Sequence, residues 1–294
     1  KDLSKAKEFS KKAGGAPANV ACAISKLGGD SFFVGAVGND PFGSFLLRIL
    51  ENEKVDISLA QKSDTFTTLA FVSIAEDGER DFVFSRGADK ELTYDSSLKS
   101  NFDNNIIHFG AATALLGGPL EETYSRYLFD GLTKNAIISF DPNYRVDLWK
   151  NKEEVFIRKC HPFIEKSHLC KFSLEEAQLL SDKEDLEDAC QIFHEMGTKI
   201  IVVTLGGAGT LLSTEKFKKT IPSIKVSPKD TTGAGDAFIG CFLQQIAQYS
   251  NFEDLLTNEN LLTNMVARAN KAGAITTENF GAIESLPTLQ QLDS

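Results

Sequence analysis

Apolar runs only a few residues long recur along the second half of this chain, each separated from the next by an amphipathic stretch. N-I-I-H-F-G-A (105–111), A-I-I-S-F-D-P (136–142), H-L-C-K-F (168–172) and K-I-I-V-V-T-L (199–205) predict strands buried on both faces. Between them lie helical patterns such as Leu186–Met196, which Gly197 closes at the position just past the helix. Strands alternating with helices predict an α/β fold, a doubly wound and mostly parallel sheet flanked by helices. Ligands of such sheets bind beyond the carboxyl ends of the strands. Asp141, Gly206 and Gly207 fall there.

One region breaks the alternation. T-T-L-A-F-V-S-I-A-E-D-G-E-R-D-F-V-F-S-R-G (67–87) is two β-type runs joined around Asp77-Gly78, a strong hairpin signal. No helix separates the runs, so they cannot form a βαβ unit. The expectation is one domain over 1–294 with a small β lid, contributed mainly by about 62–94 and part of the N-terminal region. Leu69, Phe71, Phe82 and Phe84 leave the hairpin apolar, which suits a lid, a surface between two copies of the chain, or both. The start is unusual for this fold class. K-D-L-S-K-A-K-E-F-S-K-K (1–12) is polar where a first strand is expected, and that strand is expected in a segment preceding Lys1.

Composition narrows the function. In 294 residues, 42% are hydrophobic and 24% charged, ordinary for a soluble globular protein. A net charge of −10 without any basic run argues against nucleic acid as a partner. A polyanionic substrate must therefore be held by local cations, backbone amides or a metal. Cys22, Cys160, Cys170, Cys190 and Cys241 show no paired spacing and read as buried thiols of a reducing compartment. His108, His161, His168 and His194 lack metal-ligand spacing. No signal peptide or stretch of about 20 apolar residues appears, so no membrane is expected and the cytoplasm is the expected location.

The chemistry concentrates at K-D-T-T-G-A-G-D-A-F-I-G-C-F-L (229–243). Gly233 and Gly235 free the backbone to turn its N–H groups inward, and a helix expected from Ala237 adds unpaired N–H groups and a positive dipole end. Together they predict a concave anion site with Asp236 beside it. A carboxylate next to a bound phosphoryl group can take the proton of an attacking hydroxyl. The plainer alternative is an acid favoured by the helix dipole. Other nucleotide motifs fail: there is no G-x-x-x-x-G-K-[ST], and no G-x-G-x-x-G follows a strand.

A-G-G-A-P-A-N-V-A (13–21) and D-T-T-G-A-G-D-A-F (230–238), in this order and separation, resemble the two signatures of the ribokinase, or phosphofructokinase-B, family of sugar kinases. The resemblance runs from about Gly14 to Pro287. It implies a ribokinase-like fold with a β lid, and transfer of the ATP γ-phosphoryl group to a sugar hydroxyl with Mg²⁺. It makes Asp236 the catalytic base, and Gly233, Ala234 and Gly235 the anion hole. Gly15 and Asn19 fall where the family holds sugar hydroxyls. Thr204, Gly206 and Gly209 match its nucleotide loop, and Asn270 aligns with a residue beside adenine, where the plain reading is an exposed polar residue on a helix. S-L-E-E (173–176) matches a segment whose glutamate, here Glu176, organises Mg²⁺ through water; it is equally a capping box. Asp230, Thr232 and Gly281 match positions that hold a monovalent cation in relatives, so K⁺ is implied as a second cofactor. Relatives open with a strand ending in a sugar-binding acid, and nothing before Gly14 supplies one.

F-D-P-N-Y-R-V-D-L-W (140–149), F-S-R-G-A-D-K-E-L (84–92) and H-F-G-A-A-T-A-L-L-G-G-P-L (108–120) resemble bacterial fructokinases. Fructose is the expected sugar, with Arg86 reaching it from the lid hairpin. Arg145 is open between substrate, phosphate and an ion pair with Asp141. The alternatives are 2-keto-3-deoxygluconate, another sugar of the family, or a sensor without catalysis, against which the intact Asp236 counts. A homodimer through the lid is expected.

Overall fold

The computed structural model describes residue 3, residues 6–74 and residues 80–294. Gly15, at φ 113°, turns an irregular run into helix α1 (Ala16–Lys26), a bend that only glycine makes without strain. A short parallel pair follows, β1 (Ala36–Gly38) and β2 (Gln61–Ser63), on either side of α2 (Pro41–Asn52). Asp40 caps α2 by accepting the N–H groups of Phe42 and Gly43.

The expected hairpin is present as β3 (Leu69–Ile74) and β4 (Arg80–Ser85), antiparallel, while its Asp77-Gly78 turn lies outside the described residues. The register divides the apolar residues of the hairpin between two faces. Ala70 faces Phe84, Val72 faces Phe82, and Phe71 faces Val83. Directly opposed residues share a face, so Leu69 and Phe71 occupy one face and the positions of Phe82 and Phe84 the other. The ribbon is apolar on both sides. Phe71 meets Phe9 edge-on at 5.5 Å, whereas Val72 and Val83 are 41% and 50% exposed.

From there the chain alternates as expected: β5 (Ile106–Gly110), α3 (Pro119–Thr133), β6 (Ile137–Asp141), α4 (Val146–Trp149), α5 (Glu153–Lys166), β7 (Leu169–Ser173), α6 (Leu174–Ser181), α7 (Leu186–Met196) and β8 (Ile200–Thr204). Two further strands, β9 (Thr210–Thr214) and β10 (Lys218–Ile221), extend the sheet antiparallel. Helices α8 (Ala234–Ile246), α9 (Phe252–Leu255) and α10 (Glu259–Thr276) follow. The six-stranded order is β10-β9-β8-β7-β6-β5, with β5 to β8 parallel.

Alternation along the strands explains the two cores. Ile138, Phe140, Cys170, Phe172, Ile201 and Val203 pack among Phe156, Phe163, Leu180 and Phe193 of α5, α6 and α7. Leu169, Ile200 and Val202 point the other way, among Phe238 and Phe242 of α8 and Met265 and Val266 of α10. On this second side the strand ends turn polar, with His108 opposite Ser139 in the register and Asp141 and Lys171 one step further. All five cysteines are buried and unbonded. No helix among the described residues is long and apolar enough to cross a membrane.

Candidate active site

The turn Asp230–Gly233 leads into α8, whose Gly235 lies against Lys171 at the polar strand ends. Helix α8 begins at Ala234, three residues earlier than the apolar run suggested, because Gly233 already stands at its N-cap with φ 81°. Ala234, Gly235 and Asp236 are therefore the first helical turn, so the anion site expected here would coincide with the helix terminus. A side chain on Gly233 would be crowded: a Cβ would lie 2.7 Å from Cβ of Ala282, so one of the two must shift. On the other side α10 approaches through Gly273, where a Cβ would lie 3.0 Å from the carbonyl oxygen of Ala234.

Asp236 is only 9% exposed, and its carboxylate turns away from its own helix toward α1, where Asn19 Nδ2 donates to Oδ2 at 2.8 Å. Burial pushes its pKa up to about 6; the Asn19 bond, Lys171 and Arg145 pull it down, and Asp141 pushes it up. Asn19 is itself buried, and its Oδ1 has no hydrogen-bond partner among the described residues. A buried orphan acceptor beside the acid is suited to receive a hydroxyl.

Opposite, the D-P-N-Y-R turn is built by local polar bonds. Asp141 Oδ1 accepts the N–H of Asn143, which sits at φ 49°. Tyr144 N–H then donates to Glu176 Oε1 at 2.6 Å. The other Glu176 oxygen accepts Ser173 N–H at 2.7 Å while Ser173 Oγ accepts Glu176 N–H, so the capping box is real. Burial raises the pKa of Glu176, against the pull of Lys171. Arg145 donates to the carbonyl of Tyr144 and does not pair with Asp141. Lys171 takes that role, Nζ to Oδ2 at 3.0 Å.

The remaining expected residues fall in three places. Gly15 heads α1, one turn from Asn19. Arg86 lies just past β4 at the root of the ribbon, its Nε on Asp89 at 3.0 Å and its buried Nη2 without a hydrogen-bond partner among the described residues. Thr204, Gly206 and Gly209 form the β8–β9 turn, where Gly209 at φ 109° passes so close to Ile221 that a Cβ would overlap its carbonyl oxygen. Asn270 corrects the plain reading: it is buried, accepting from Thr210 Oγ1 at 2.6 Å and donating to the carbonyl of Ile221 at 3.0 Å. Asp230 joins two loops, Oδ1 to Thr232 N–H at 2.9 Å and Oδ2 to Gly281 N–H at 3.0 Å.

Residues 1–289 match the family described as pfkB family carbohydrate kinase. This chain belongs to that family. Among relatives of this kinase, fructokinase-1 of Zea mays is 38% identical over 291 residues, which cover 97% of this chain and 88% of the maize protein. The fructokinase of Xylella fastidiosa with bound ATP superposes with a TM-score of 0.87 at 28% identity, over 97% and 90% of the two chains. The fructokinase of Vibrio cholerae O395 in its fructose-, ADP- and calcium-bound form gives 0.84 at 29%, over 98% and 92%. The ribokinase-like fold with a small antiparallel sheet is thus shown.

Lys171 and Gly273 belong to neither signature. Lys171 left a signal: it is the one charged residue inside H-L-C-K-F, a run otherwise apolar enough to be buried on both faces. Gly273 left none, because its role is a distance between two helices.

Proposed function

We propose that this carbohydrate kinase transfers the γ-phosphoryl group of ATP to fructose, giving fructose 6-phosphate, with Asp236 as the base. The observation that carries the base assignment is the buried Asp236, held by Asn19 at the head of α8 with its pKa raised to about 6. A base poised near the working pH is both available and able to give the proton up again. The names of the relatives support fructose and ATP.

In this reading the sugar hydroxyl lies beside Asp236, with Asn19 Oδ1, Gly15 and the free Nη2 of Arg86 holding other hydroxyls. The hydroxyl oxygen forms a bond to the γ-phosphorus, the bridging P–O bond breaks toward ADP, and the proton passes to the Asp236 carboxylate. The N–H groups of the Gly233-Ala234-Gly235 turn face the charge that gathers on the phosphoryl oxygens. Arg145 adds a guanidinium on the same side. Thr204, Gly206, Gly209 and Asn270 frame the nucleotide.

Mg²⁺ would be carried by the nucleotide phosphates together with its own waters. Glu176, whose two oxygens accept the N–H groups of Tyr144 and Ser173, would reach such an ion through water. When bound, Mg²⁺ neutralises phosphate charge. The Asp230 carboxylate beside Thr232 and Gly281 is a hard-oxygen site suited to K⁺. The two-sided apolar ribbon supports a homodimer with a second copy across the lid, and the buried free cysteines support the cytoplasm. Sedimentation checks the dimer; a monomer at micromolar concentration, with or without sugar, removes it.

The deciding experiment is a sugar panel with ATP and Mg²⁺. Fructose is expected to give the highest kcat/KM. A value for 2-keto-3-deoxygluconate about tenfold above that for fructose overturns the substrate. No turnover of any sugar overturns the kinase.

A further inference from the structure

Lys171 stands near the middle of the polar strand ends with its side chain only 9% exposed. Its ammonium is 3.0 Å from Asp141 Oδ2, and no other acceptor bonds it among the described residues. It also sits directly against Gly235: a Cβ on that residue would lie 3.1 Å from Nζ and 3.5 Å from Cε. The glycine at the second position of α8 therefore makes room for a buried cation. That cation lies against the turn where the phosphoryl group is expected.

The surroundings give this position a purpose beyond neutralising Asp141. Burial works against the charge of Lys171, yet Asp141, Glu176 and Asp236 together hold its pKa above the ordinary lysine value. The lysine therefore serves carboxylates from β6, α6 and α8 at once. A pair made only to satisfy Asp141 would not need to stand under Gly235, nor within the field of the base.

Building on the kinase reading, we propose that Lys171 is a positioning residue of the phosphoryl-transfer site: its ammonium seats the first turn of α8 through Gly235 and fixes the charge around Asp236. The groups facing Asp236 are Asn19 from α1, Asp141 and Arg145 from the end of β6 and the turn after it, and Lys171 from β7. Of these, Lys171 alone touches both the seat of the anion turn and a neighbouring carboxylate. Its removal leaves Asp141 buried without its cation, so loss of the lysine must be separated from loss of the pair.

The test compares wild type, Lys171→Met, Asp141→Asn and the double variant by kcat, by KM for fructose and ATP, by kcat/KM against pH, and by thermal unfolding. Lys171→Met is expected to lower kcat about 100-fold with both KM values within about fivefold. Its acidic limb of kcat/KM is expected to move to higher pH, because a cation that favoured ionised Asp236 is gone. Asp141→Asn, which leaves the ammonium in place, is expected to keep kcat within about tenfold of wild type. The double variant removes both charges and is expected to unfold near the wild-type temperature while its kcat lies at least about 30-fold below that of Asp141→Asn. A double variant with the same kcat as Asp141→Asn shows that the lysine serves Asp141 alone and overturns the proposal. So does a Lys171→Met enzyme whose acidic limb has not moved, and so does failure of the double variant to fold. A wild type inactive on every sugar is a different failure, that of the kinase reading, and it appears in the first assay.

Discussion

Asn19 Nδ2 and Asp236 Oδ2 lie 2.8 Å apart although 217 residues separate them in the chain. The bond ties the first helix to the head of α8 through the Asn19 amide nitrogen, and leaves Asn19 Oδ1 without a hydrogen-bond partner among the described residues. The two signatures thus meet at one hydrogen bond.

Asp236→Asn is expected to lower kcat by at least about 100-fold, the typical worth of a positioned base. Binding of ATP and fructose should stay within about tenfold, because the amide keeps the shape and can still accept from Asn19. Calorimetric titration beside steady-state kinetics checks this. Loss of ATP binding with kcat intact would make Asp236 a structural or metal-linked acid instead.

The same substitution is expected to stabilise the fold at alkaline pH. Burial raises the pKa of Asp236 from 3.8 to about 6 in the folded chain, so ionisation there costs stability. The cost is absent below the unfolded value, grows as pH rises, and is complete above the folded value. At pH 8 the amide should gain about 2–3 kcal/mol, which raises Tm by several degrees. The gain should vanish near pH 3. Thermal unfolding of both proteins across pH measures it, and equal Tm values at pH 8 would show that the acid is not buried as described.

Asn19→Ala should move the acidic limb of kcat/KM upward from its wild-type position near 6, since the Asn19 bond favours the ionised acid. It should also raise KM for fructose about tenfold or more through loss of the unpaired oxygen. A change in KM with an unmoved limb would separate sugar binding from control of the base.

Two glycine substitutions separate backbone demand from ligand demand. Gly233→Ala meets a positive φ of 81° and a Cβ of Ala282 at 2.7 Å, so it should cost about 1–3 kcal/mol of stability and weaken nucleotide binding. Gly207→Ala meets nothing within 4 Å and has no positive φ, so the fold should tolerate it. Any loss of ATP affinity in that variant reports contact with the nucleotide. Chemical denaturation and nucleotide titration of both variants give the comparison.

Removal of Mg²⁺ with a chelator is expected to abolish turnover, and exchange of K⁺ for Na⁺ to lower it severalfold. Asp230→Ala should remove the K⁺ response and also destabilise the chain by about 1–3 kcal/mol, because two loop N–H groups lose their acceptor. Persistent K⁺ activation in that variant would move the cation elsewhere.

Much was decided by the sequence alone, wherever one short segment carries its own instruction. The four parallel strands were legible because both their faces must be apolar, and α7 because its periodicity ends at Gly197. The hairpin strands, the capping box at Ser173 and Glu176, and Asp236 behind its glycines were legible for the same local reason. Only the tertiary structure decided what depends on distance between segments. It started α8 at Ala234, put the apolar residues of the ribbon on two faces, and buried Asn270 between β9 and the end of β10. It also gave Asp141 a lysine from the next strand in place of the nearby Arg145. A pattern along the chain records how much surface a residue must bury. Which charge answers which across a sheet is settled by register and packing, and no single segment contains either.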